Sequence, residues 1–222
     1  MGTQGKNLKM DTAEIEANKK ELLERIKLYK SYGFDQLKSR EFVVRKSRPI
    51  KGGILEIGTG KGYLTTLLAK EAQDIITVDI SDEDQKFAAL NIAAEGSLDK
   101  VKFTICDARK LPYPDKEFDL VISANAFHHF EHPFAVLKEM IRVCGKKLVI
   151  ADFSREGFNI IRKVHRNEGH EHEEQHGDFG IVGVYLKENG FSVKRFEAHC
   201  QIVYAAVKKK GVETDAKRKR NG

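Results

Sequence analysis

The segment ILEIGTGKGYLTTLLA, residues 54–69, places three glycines at alternate positions directly after an apolar run that contains one acid, Glu56. Glycine weakens both strands and helices, so Gly58, Gly60 and Gly62 predict a backbone turn shaped around a ligand. Dinucleotide-binding folds hold a pyrophosphate with a different spacing, GxGxxG. A carboxylate at position 56 would repel a phosphate, whereas it would attract an ammonium group. The segment therefore predicts a pocket for a ligand that carries positive charge.

Two further acids follow the next two predicted strands. Asp79 lies about twenty residues after the glycines, a distance that suits a carboxylate accepting hydrogen bonds from both ribose hydroxyls. Ser81 with Asp84 already supplies a helix N-cap pattern, which leaves Asp79 without that role. Asp107 could accept a hydrogen bond from an adenine amino group, or it could simply begin the turn that follows it. The glycines and three acids at successive strand ends together favour a ligand site over three structural acids.

Histidines form the second group of residues that could do chemistry. His128 and His129 lie just beyond the predicted fourth strand, in SANAFHHFEHP. Histidine titrates near neutral pH, so either ring could act as a base, although a ring packed on a ligand fits the pattern equally well.

The stretch VHRNEGHEHEEQHGDFG, residues 164–180, holds four of the eight histidines. On one helix over 160–172, His165, Glu168 and His172 would share a face, as a substrate pocket or a divalent-metal site requires. Gly169 weakens that helix and the spacing is no standard metal motif, so we assign the three residues to a substrate pocket and assign no metal, although a divalent-metal site stays open as an alternative. A solvated loop remains the alternative.

The elements that must position these residues alternate from Gly53 onward, which implies a parallel sheet with helices on both faces. Strands are expected at 54–57, 75–79, 101–106, 118–123 and 147–151. Helices are expected at 11–32, 34–45, 63–71, 82–95 and 133–143. The last two strands, 191–197 and 201–207, are too close for the crossover of a parallel pair, so they should form an antiparallel hairpin.

The chain resembles the class I S-adenosylmethionine-dependent methyltransferases, in their small-molecule, methyltransferase type 11-like branch. LEIGTGKG, TVDIS, CDARKLPYPDKEFDLVISANAFHHF and PFAVLKEMIRVC carry the resemblance, which runs from about residue 34 to residue 207. It implies an α/β fold: a Rossmann-like, doubly wound sheet of seven strands, mostly parallel with an antiparallel C-terminal hairpin strand. It also implies S-adenosylmethionine as cofactor.

The resemblance assigns roles to individual residues. Glu56 and the three glycines would surround the methionine portion of the cofactor, and Asp79 would hold its ribose. Ile80 would pack on the adenine, Asp107 would bind the adenine amino group, and Ala108 would offer its backbone N–H. The remaining assignments are cofactor contacts by Thr59 and Ser123, a substrate contact by Asn125, and catalysis by His129, preferred as base, or His128.

The resemblance also divides the chain. Residues 1–48 would form an N-terminal helical lid that carries Tyr29, Tyr32, Phe34 and Phe42. A helix packed on the far side of the sheet is the alternative. Residues 49–207 would form the methyltransferase domain, and residues 208–222 a basic, disordered tail.

The predicted reaction is in-line methyl transfer to a small-molecule acceptor, with a base only if the nucleophile carries a proton. The family members that methylate amino groups of DNA bases or glutamine carry a PPY-type sequence after the fourth strand, and this chain lacks it. A methyltransferase acting on RNA or protein, and a non-catalytic S-adenosylmethionine-binding protein, remain as alternatives. The acceptor, the atom methylated and the oligomeric state do not follow from the sequence.

Composition and charge indicate which classes of binding partner and which cellular compartment to expect. The net charge is +6 over 222 residues, and the tail 208–222 holds seven Lys or Arg against two acids. Because the excess charge lies in the tail rather than on a folded face, nucleic acid is disfavoured as a partner. Three dispersed cysteines, no signal-peptide pattern and no long apolar run predict a cytoplasmic protein without a membrane partner.

Overall fold

The computed structural model describes residues 11–167 and 179–209. Its helices are α1 (Thr12–Ser31), α2 (Gln36–Ser47), α3 (Tyr63–Leu68), α4 (Asp82–Ala93), α5 (Pro133–Val143), α6 (Arg155–Asn167) and α7 (Gly180–Glu188). Its strands are β1 (Ile54–Ile57), β2 (Ile75–Asp79), β3 (Val101–Ile105), β4 (Phe118–Ala124), β5 (Cys144–Phe153), β6 (Phe191–Ala198) and β7 (Gln201–Lys208). A short 3₁₀ turn, Phe127–His129, connects β4 to α5.

The strands form one sheet in the order β3-β2-β1-β4-β5-β7-β6. Strands β1 to β5 pair in parallel, whereas β7 runs antiparallel to both of its neighbours, β5 and β6. The chain winds from β1 toward β3 and then returns to β4 on the other side of β1. In doubly wound sheets, ligands bind at such a reversal, beyond the carboxyl ends of the strands. The predicted fold class, including the antiparallel hairpin, is confirmed.

Local sequence signals explain where the helices around the site begin. Ser81 caps α4, because its hydroxyl accepts a hydrogen bond from the Asp84 N–H at 3.1 Å. Pro133 occupies the first turn of α5, where its missing N–H costs no helical hydrogen bond. Gly62 precedes α3 in the left-handed conformation, which glycine adopts without steric cost. These three boundaries agree with the predicted starts of the helices.

Alternating residues of the central strands build a core on each face of the sheet. Leu55 and Ile57 belong to the core that includes α5 and α7, whereas Ile54 belongs to the core that includes α3 and α4. A third, smaller core joins the α1–α2 turn to β5 and α6 through Tyr29, Phe34, Phe153, Ile160, Ile161 and Val164. This third core lies at the carboxyl end of the sheet and supports one wall of the site described below.

Several predicted boundaries differ from the structure. β5 spans residues 144–153 rather than 147–151, since β4 pairs with its start and β7 with its end. α6 begins at Arg155, five residues before the predicted helix over 160–172, and α7 was not predicted. Gly183 lowers the helix propensity of this segment, which made α7 difficult to predict. A larger residue would not fit at this position, because a Cβ there would lie 2.6 Å from the Tyr204 ring.

Among the described ranges, 11–167 and 179–209, the helices lack the combination of length and apolar character that crossing a lipid bilayer requires. The cytoplasmic location stays a prediction. The tail from residue 210 lies outside the described ranges.

Candidate active site

A cavity of about 600 Å³ opens at the carboxyl ends of β1, β2 and β4, where the winding of the sheet reverses. We call it the cofactor cavity. It is lined by most of the predicted cofactor residues: Glu56, Gly58, Thr59, Gly60, Asp79, Ile80, Asp107 and Ala108. Its volume is within the range of small-molecule sites. The sequence motifs therefore converge on one place in the fold.

The three glycines of the turn after β1 all have positive φ angles. A Cβ at Gly58 would lie 2.5 Å from the Ala126 Cβ, and one at Gly62 would lie 2.9 Å from the backbone of Ala88. A Cβ at Gly60, in contrast, would meet no atom within 4 Å. Gly58 and Gly62 thus allow close packing of the turn, while Gly60 leaves its backbone open to the cofactor cavity.

Glu56 is almost fully buried, with 1% of its surface exposed. Its Oε2 accepts hydrogen bonds from the hydroxyls of Thr65 (2.5 Å) and Thr77 (2.8 Å). Burial raises the pKa of Glu56 to about 7, against the opposing effect of the two hydroxyls. A cationic group bound beside this carboxylate would favour its ionised form, so Glu56 fits the predicted ammonium partner.

Asp79, at the end of β2, supports the glycine turn directly. Its Oδ2 accepts a hydrogen bond from the Gly60 N–H at 2.8 Å, and its Oδ1 accepts one from the Ser81 N–H at 3.0 Å. Each carboxylate oxygen can accept more than one hydrogen bond, so the predicted ribose contact is compatible with these two. Asp79 therefore has a second role that its position in the sequence did not indicate.

On the predicted adenine side, the cofactor cavity is also lined by Arg109, a residue that sequence analysis did not identify. Ile80 is 74% exposed and lines the cavity, as expected for a side chain that packs on a ligand. Asp107 accepts hydrogen bonds from the backbone N–H and the Nε of Arg109, both at 2.8 Å. The Arg109 guanidinium holds the pKa of Asp107 below its usual value. An adenine amino group would therefore share Asp107 with Arg109.

Two predicted cofactor contacts have hydroxyls that are buried within the protein. The Thr59 hydroxyl lies 2.7 Å from that of Thr77 and accepts a hydrogen bond from Gln85. Ser123 is fully buried and lies outside the lining of the cofactor cavity. It shares a face of β4 with Val121, a residue of the core that includes α5. Ser123 and Gly62 are thus the two predicted cofactor residues that do not line the cofactor cavity.

A second cavity, of about 650 Å³, adjoins the first and is called the acceptor cavity here. Tyr29, Phe34, His128, Phe153, Ile161 and His165 line it without lining the cofactor cavity. Arg40, Lys61, Tyr63, Asp84, Asn125, His129, Phe130 and Glu131 line both cavities and form their junction. The predicted substrate residue Asn125 therefore lies between the two sites.

Asn125 has an unusual backbone and an unsatisfied side chain. Its φ of 56° lies in the left-handed region, which asparagine adopts more readily than most residues. Its N–H donates to the Ala151 carbonyl at 2.9 Å, which fixes the end of β4 against β5. Its buried Oδ1 has no hydrogen-bond partner in the described part of the chain. A ligand at the junction could supply the missing donor.

His128 is held by an acid that sequence analysis missed. Its Nδ1 lies 2.8 Å from Asp152 Oδ1, and its backbone N–H donates to Asp152 Oδ2 at 2.9 Å. Both side chains are buried, at 6% and 1% exposure. An ionised carboxylate only accepts, so Nδ1 carries a proton, and in the neutral form of the ring Nε2 has the lone pair. Asp152 lies near the carboxyl end of β5, just as Glu56, Asp79 and Asp107 lie at the ends of β1, β2 and β3. This shared position is the sequence signal from which Asp152 could have been predicted.

His129 is exposed and lines both cavities, and its ring centroid lies 3.9 Å from that of His128. His165, on α6, lines the acceptor cavity with its Nε2 3.4 Å from the Tyr29 hydroxyl. The other two members of the predicted histidine cluster, Glu168 and His172, lie outside the described residues.

The residues present fit S-adenosylmethionine. The open backbone at Gly60, the buried Glu56 carboxylate and the exposed Ile80 side chain match a turn around the ligand, an ammonium group and an adenine face.

Comparison with known proteins agrees with this geometry. A family model described as a methyltransferase domain matches residues 55–150. Two matching curated proteins are each named Ubiquinone/menaquinone biosynthesis C-methyltransferase UbiE. That of Ectopseudomonas mendocina (strain ymp) is 32% identical over 117 residues, which cover 50% of this chain and 46% of the relative. That of Azotobacter vinelandii (strain DJ / ATCC BAA-1303) is 29% identical over 132 residues, 57% of this chain and 52% of the relative. The chain thus spans about half the length of these relatives.

A solved structure, a SAM dependent methyltransferase from Aquifex aeolicus, superposes with a TM-score of 0.61 at 23% identity, covering 90% of this chain and 99% of that one. This likeness establishes the fold. The methyltransferase-domain model matches the segment that carries the glycine turn and the strand-end acids, and this match agrees with the family that the motifs predicted.

Proposed function

We propose that this chain transfers the methyl group of S-adenosylmethionine to a small-molecule acceptor bound in the acceptor cavity. The observation that carries the proposal is the arrangement of two adjoining cavities with a shared junction. One holds the family's cofactor residues, and the other holds an oriented histidine among aromatic side chains. A cavity of about 650 Å³ suits a compact organic molecule rather than a folded polymer.

When bound, S-adenosylmethionine supplies an electrophilic methyl group on a positively charged sulfur. The chain's own task is to align the acceptor with that methyl group and to exclude water from the transfer. Tyr29 and Phe34, from α1 and the α1–α2 turn, form an apolar wall of the acceptor cavity. This placement supports the prediction that the N-terminal segment acts as a lid.

His128 serves as the general base in this proposal. Asp152 fixes the Nδ1–H tautomer, so the Nε2 lone pair is available to a proton of an acceptor in the cavity that His128 lines. The family resemblance favoured His129, but His129 is exposed, whereas His128 is both buried and oriented. As the acceptor loses its proton to Nε2, its electron pair becomes available to attack the methyl group.

The base favours an acceptor whose nucleophile is a hydroxyl, or a ring carbon made electron-rich when a hydroxyl on the ring ionises. The curated relatives are named C-methyltransferases, which agrees with the second possibility. Aromatic side chains on the wall of the acceptor cavity, Tyr29, Phe34 and Phe153, suit a planar ring.

Radiolabelled methyl transfer tests the proposal. The protein is incubated with S-adenosyl-[methyl-³H]methionine and a bacterial extract separated into molecules below about 3 kDa, total RNA and total protein. We expect label in the low-mass fraction, dependent on the added enzyme. Label confined to RNA or protein would contradict the proposal and favour a macromolecular acceptor. Calorimetric binding of S-adenosylmethionine without label transfer to any fraction would favour a non-catalytic binding protein.

A further inference from the structure

The part of the acceptor cavity that lies away from the cofactor cavity contains a cation that the proposed function does not use. Arg25, on α1, is partly buried and lines the acceptor cavity without lining the cofactor cavity. Its Nη2 donates a hydrogen bond to the Tyr29 hydroxyl at 3.0 Å, and its guanidinium carbon lies 5.2 Å from the centroid of the Tyr29 ring. The two residues are four positions apart on α1, so they share one face of that helix.

A second polar side chain reaches this pair from α6. His165 Nε2 lies 3.4 Å from the Tyr29 hydroxyl, and both side chains line the acceptor cavity. Tyr29 also belongs to the third core, together with Ile161 and Val164 of α6, and this packing holds α1 against α6. Arg25, Tyr29 and His165 therefore form one cluster on the cavity wall, which we call the Arg25 cluster.

Charge is unevenly distributed over the lining of the acceptor cavity. At the junction, Arg40 and Lys61 are accompanied by two acids, Asp84 and Glu131, so the formal charges there cancel. Among the described residues that line the acceptor cavity alone, Arg25 is the one permanently charged side chain, and none is Asp or Glu. The lining of this part is therefore positive, which favours an anionic group on the ligand over a cationic one.

The donors of the Arg25 cluster match a carboxylate. A guanidinium presents parallel N–H groups that fit the two oxygens of a carboxylate. The Tyr29 hydroxyl accepts from Arg25, so its own proton can be donated to a ligand, and a protonated imidazole nitrogen of His165 can donate as well. We propose that the acceptor is an aromatic acid whose carboxylate binds to Arg25, so that α1 selects the substrate by its charge.

The carboxylate fixes the acceptor in the cavity and is not the atom that receives the methyl group. Arg25 does not line the cofactor cavity, from which the methyl group comes, whereas the junction does. The ring of the acceptor would pack against Phe34 and Phe153, and its nucleophile would face the junction. This inference rests on the proposed function, because it concerns the molecule that is methylated.

Anion exchange of the methylated product tests the charge of the acceptor. In the labelling experiment above, the low-mass product should be retained on an anion exchanger at about pH 7. Unreacted S-adenosylmethionine is a cation and is not retained, and a phenolic hydroxyl alone stays neutral at this pH. The product should be released at about pH 2, because a carboxylate is protonated below about pH 4. A phosphate ester would remain bound at that pH.

Substitution of Arg25 tests the residue. With the retained fraction as substrate, used in a dilution series, we expect Arg25→Gln to raise the relative KM for the acceptor at least tenfold. The kcat and the calorimetric affinity for S-adenosylhomocysteine should change by less than twofold, because the lost contact is equally strong in the ground and transition states. Arg25→Lys should restore part of the affinity, since it keeps the charge but loses the fork. Lys27→Gln, an exposed change on the same helix that lines neither cavity, is the matched control.

Several results would overturn the inference, and each has a different meaning. A labelled product that passes the exchanger at pH 7 would show a neutral acceptor, while the proposed function would stand. Retention that persists at pH 2 would show a more acidic group than a carboxylate. An unchanged KM in Arg25→Gln would remove Arg25 from the acceptor site, and equal losses of acceptor and S-adenosylhomocysteine affinity would mean that Arg25 only supports the N-terminal helices. Absence of label from the low-mass fraction would instead contradict the proposed function, and this inference with it.

Discussion

At the scale of single residues, the site is built from carboxylates that have different tasks because their surroundings differ. Glu56 is buried and bonded to two hydroxyls, Asp79 holds two backbone N–H groups, and Asp152 orients a histidine. Each of these acids lies within or at the carboxyl end of a parallel strand. The fold thus concentrates them at one edge of the sheet, where side-chain interactions then give each its role.

Asp79→Ala should weaken S-adenosylhomocysteine binding by roughly thirtyfold to a hundredfold, the equivalent of about 2–3 kcal/mol. The loss combines the predicted ribose contact with the bond that holds the Gly60 N–H. Calorimetry measures the effect. Asp82→Ala, three residues later on the exposed face of α4, is the control and should leave the affinity unchanged. An unaltered affinity in Asp79→Ala would remove Asp79 from the cofactor site.

His128→Ala should reduce the rate of methyl transfer by at least about a hundredfold, the usual contribution of a general base, with S-adenosylhomocysteine affinity nearly unchanged. Asp152→Asn should also slow the reaction, because both carboxylate oxygens accept hydrogen bonds from His128 and an asparagine side chain has only one accepting oxygen, so one of these two bonds is lost. His199→Ala, which lines neither cavity, serves as the control. Full activity in His128→Ala together with loss of activity in His129→Ala would transfer the role to His129.

At the scale of elements, the N-terminal helices contribute residues to both the cofactor cavity and the acceptor cavity. Phe34 packs edge-on against Phe153 with ring centroids 5.5 Å apart, which joins the α1–α2 turn to β5 and α6. α2 contributes Arg40 to the junction, and α1 contributes Tyr29 to the acceptor wall. Movement of these helices would therefore alter both cavities together.

Hydrogen exchange should show this connection. We expect the amides from Tyr29 to Phe42 to exchange more slowly when S-adenosylhomocysteine binds, because the ligand orders the segment that closes over it. The edge strand β6, at the opposite end of the sheet order from β3, provides an internal control that should not change. Unchanged exchange over residues 29–42 would favour the alternative that the segment packs as a fixed layer.

Some helices and strands could be predicted from local sequence signals, and others could not. α5 and the hairpin were predicted because Pro133 marks a helix start and because the linker after Glu197 is too short for a crossover. α7 was missed because Gly183, which reduces helix propensity locally, is required by contact with Tyr204, a residue far along the chain. Such a requirement depends on tertiary packing, so no local pattern contains it.

At the scale of the whole molecule, the residues that the sequence singled out account for more of the cofactor cavity than of the acceptor cavity. The glycine turn and the strand-end acids are close in sequence to the strands that carry them, and parallel pairing brings them together. The acceptor cavity instead joins α1, α2, α6 and the 3₁₀ turn, whose contacts span more than a hundred residues, as between Tyr29 and His165. His165 and the aromatic wall could be suspected from the sequence, but the Asp152–His128 pair required the fold.

Glu56 links the site to the stability of the whole chain. Its folded pKa of about 7 exceeds its usual value of 4.5, so between these values the folded chain binds a proton that the unfolded chain has released. The free energy of unfolding should therefore fall as pH rises from about 4.5 to 7, by about 3 kcal/mol from this group, and level off above. Glu56→Gln should lose this slope, because the amide does not titrate.

Urea denaturation of the ligand-free protein from pH 5 to pH 8 measures the difference between the two proteins, with the exposed change Glu117→Gln as control. At pH 8, Glu56→Gln should be at least as stable as the unaltered chain, because no buried charge remains. Its affinity for S-adenosylhomocysteine should nevertheless fall, since the ammonium group loses its anionic partner. Parallel pH slopes in the two proteins would show that Glu56 is ionised throughout this range, and equal affinity would show that the ammonium group binds elsewhere.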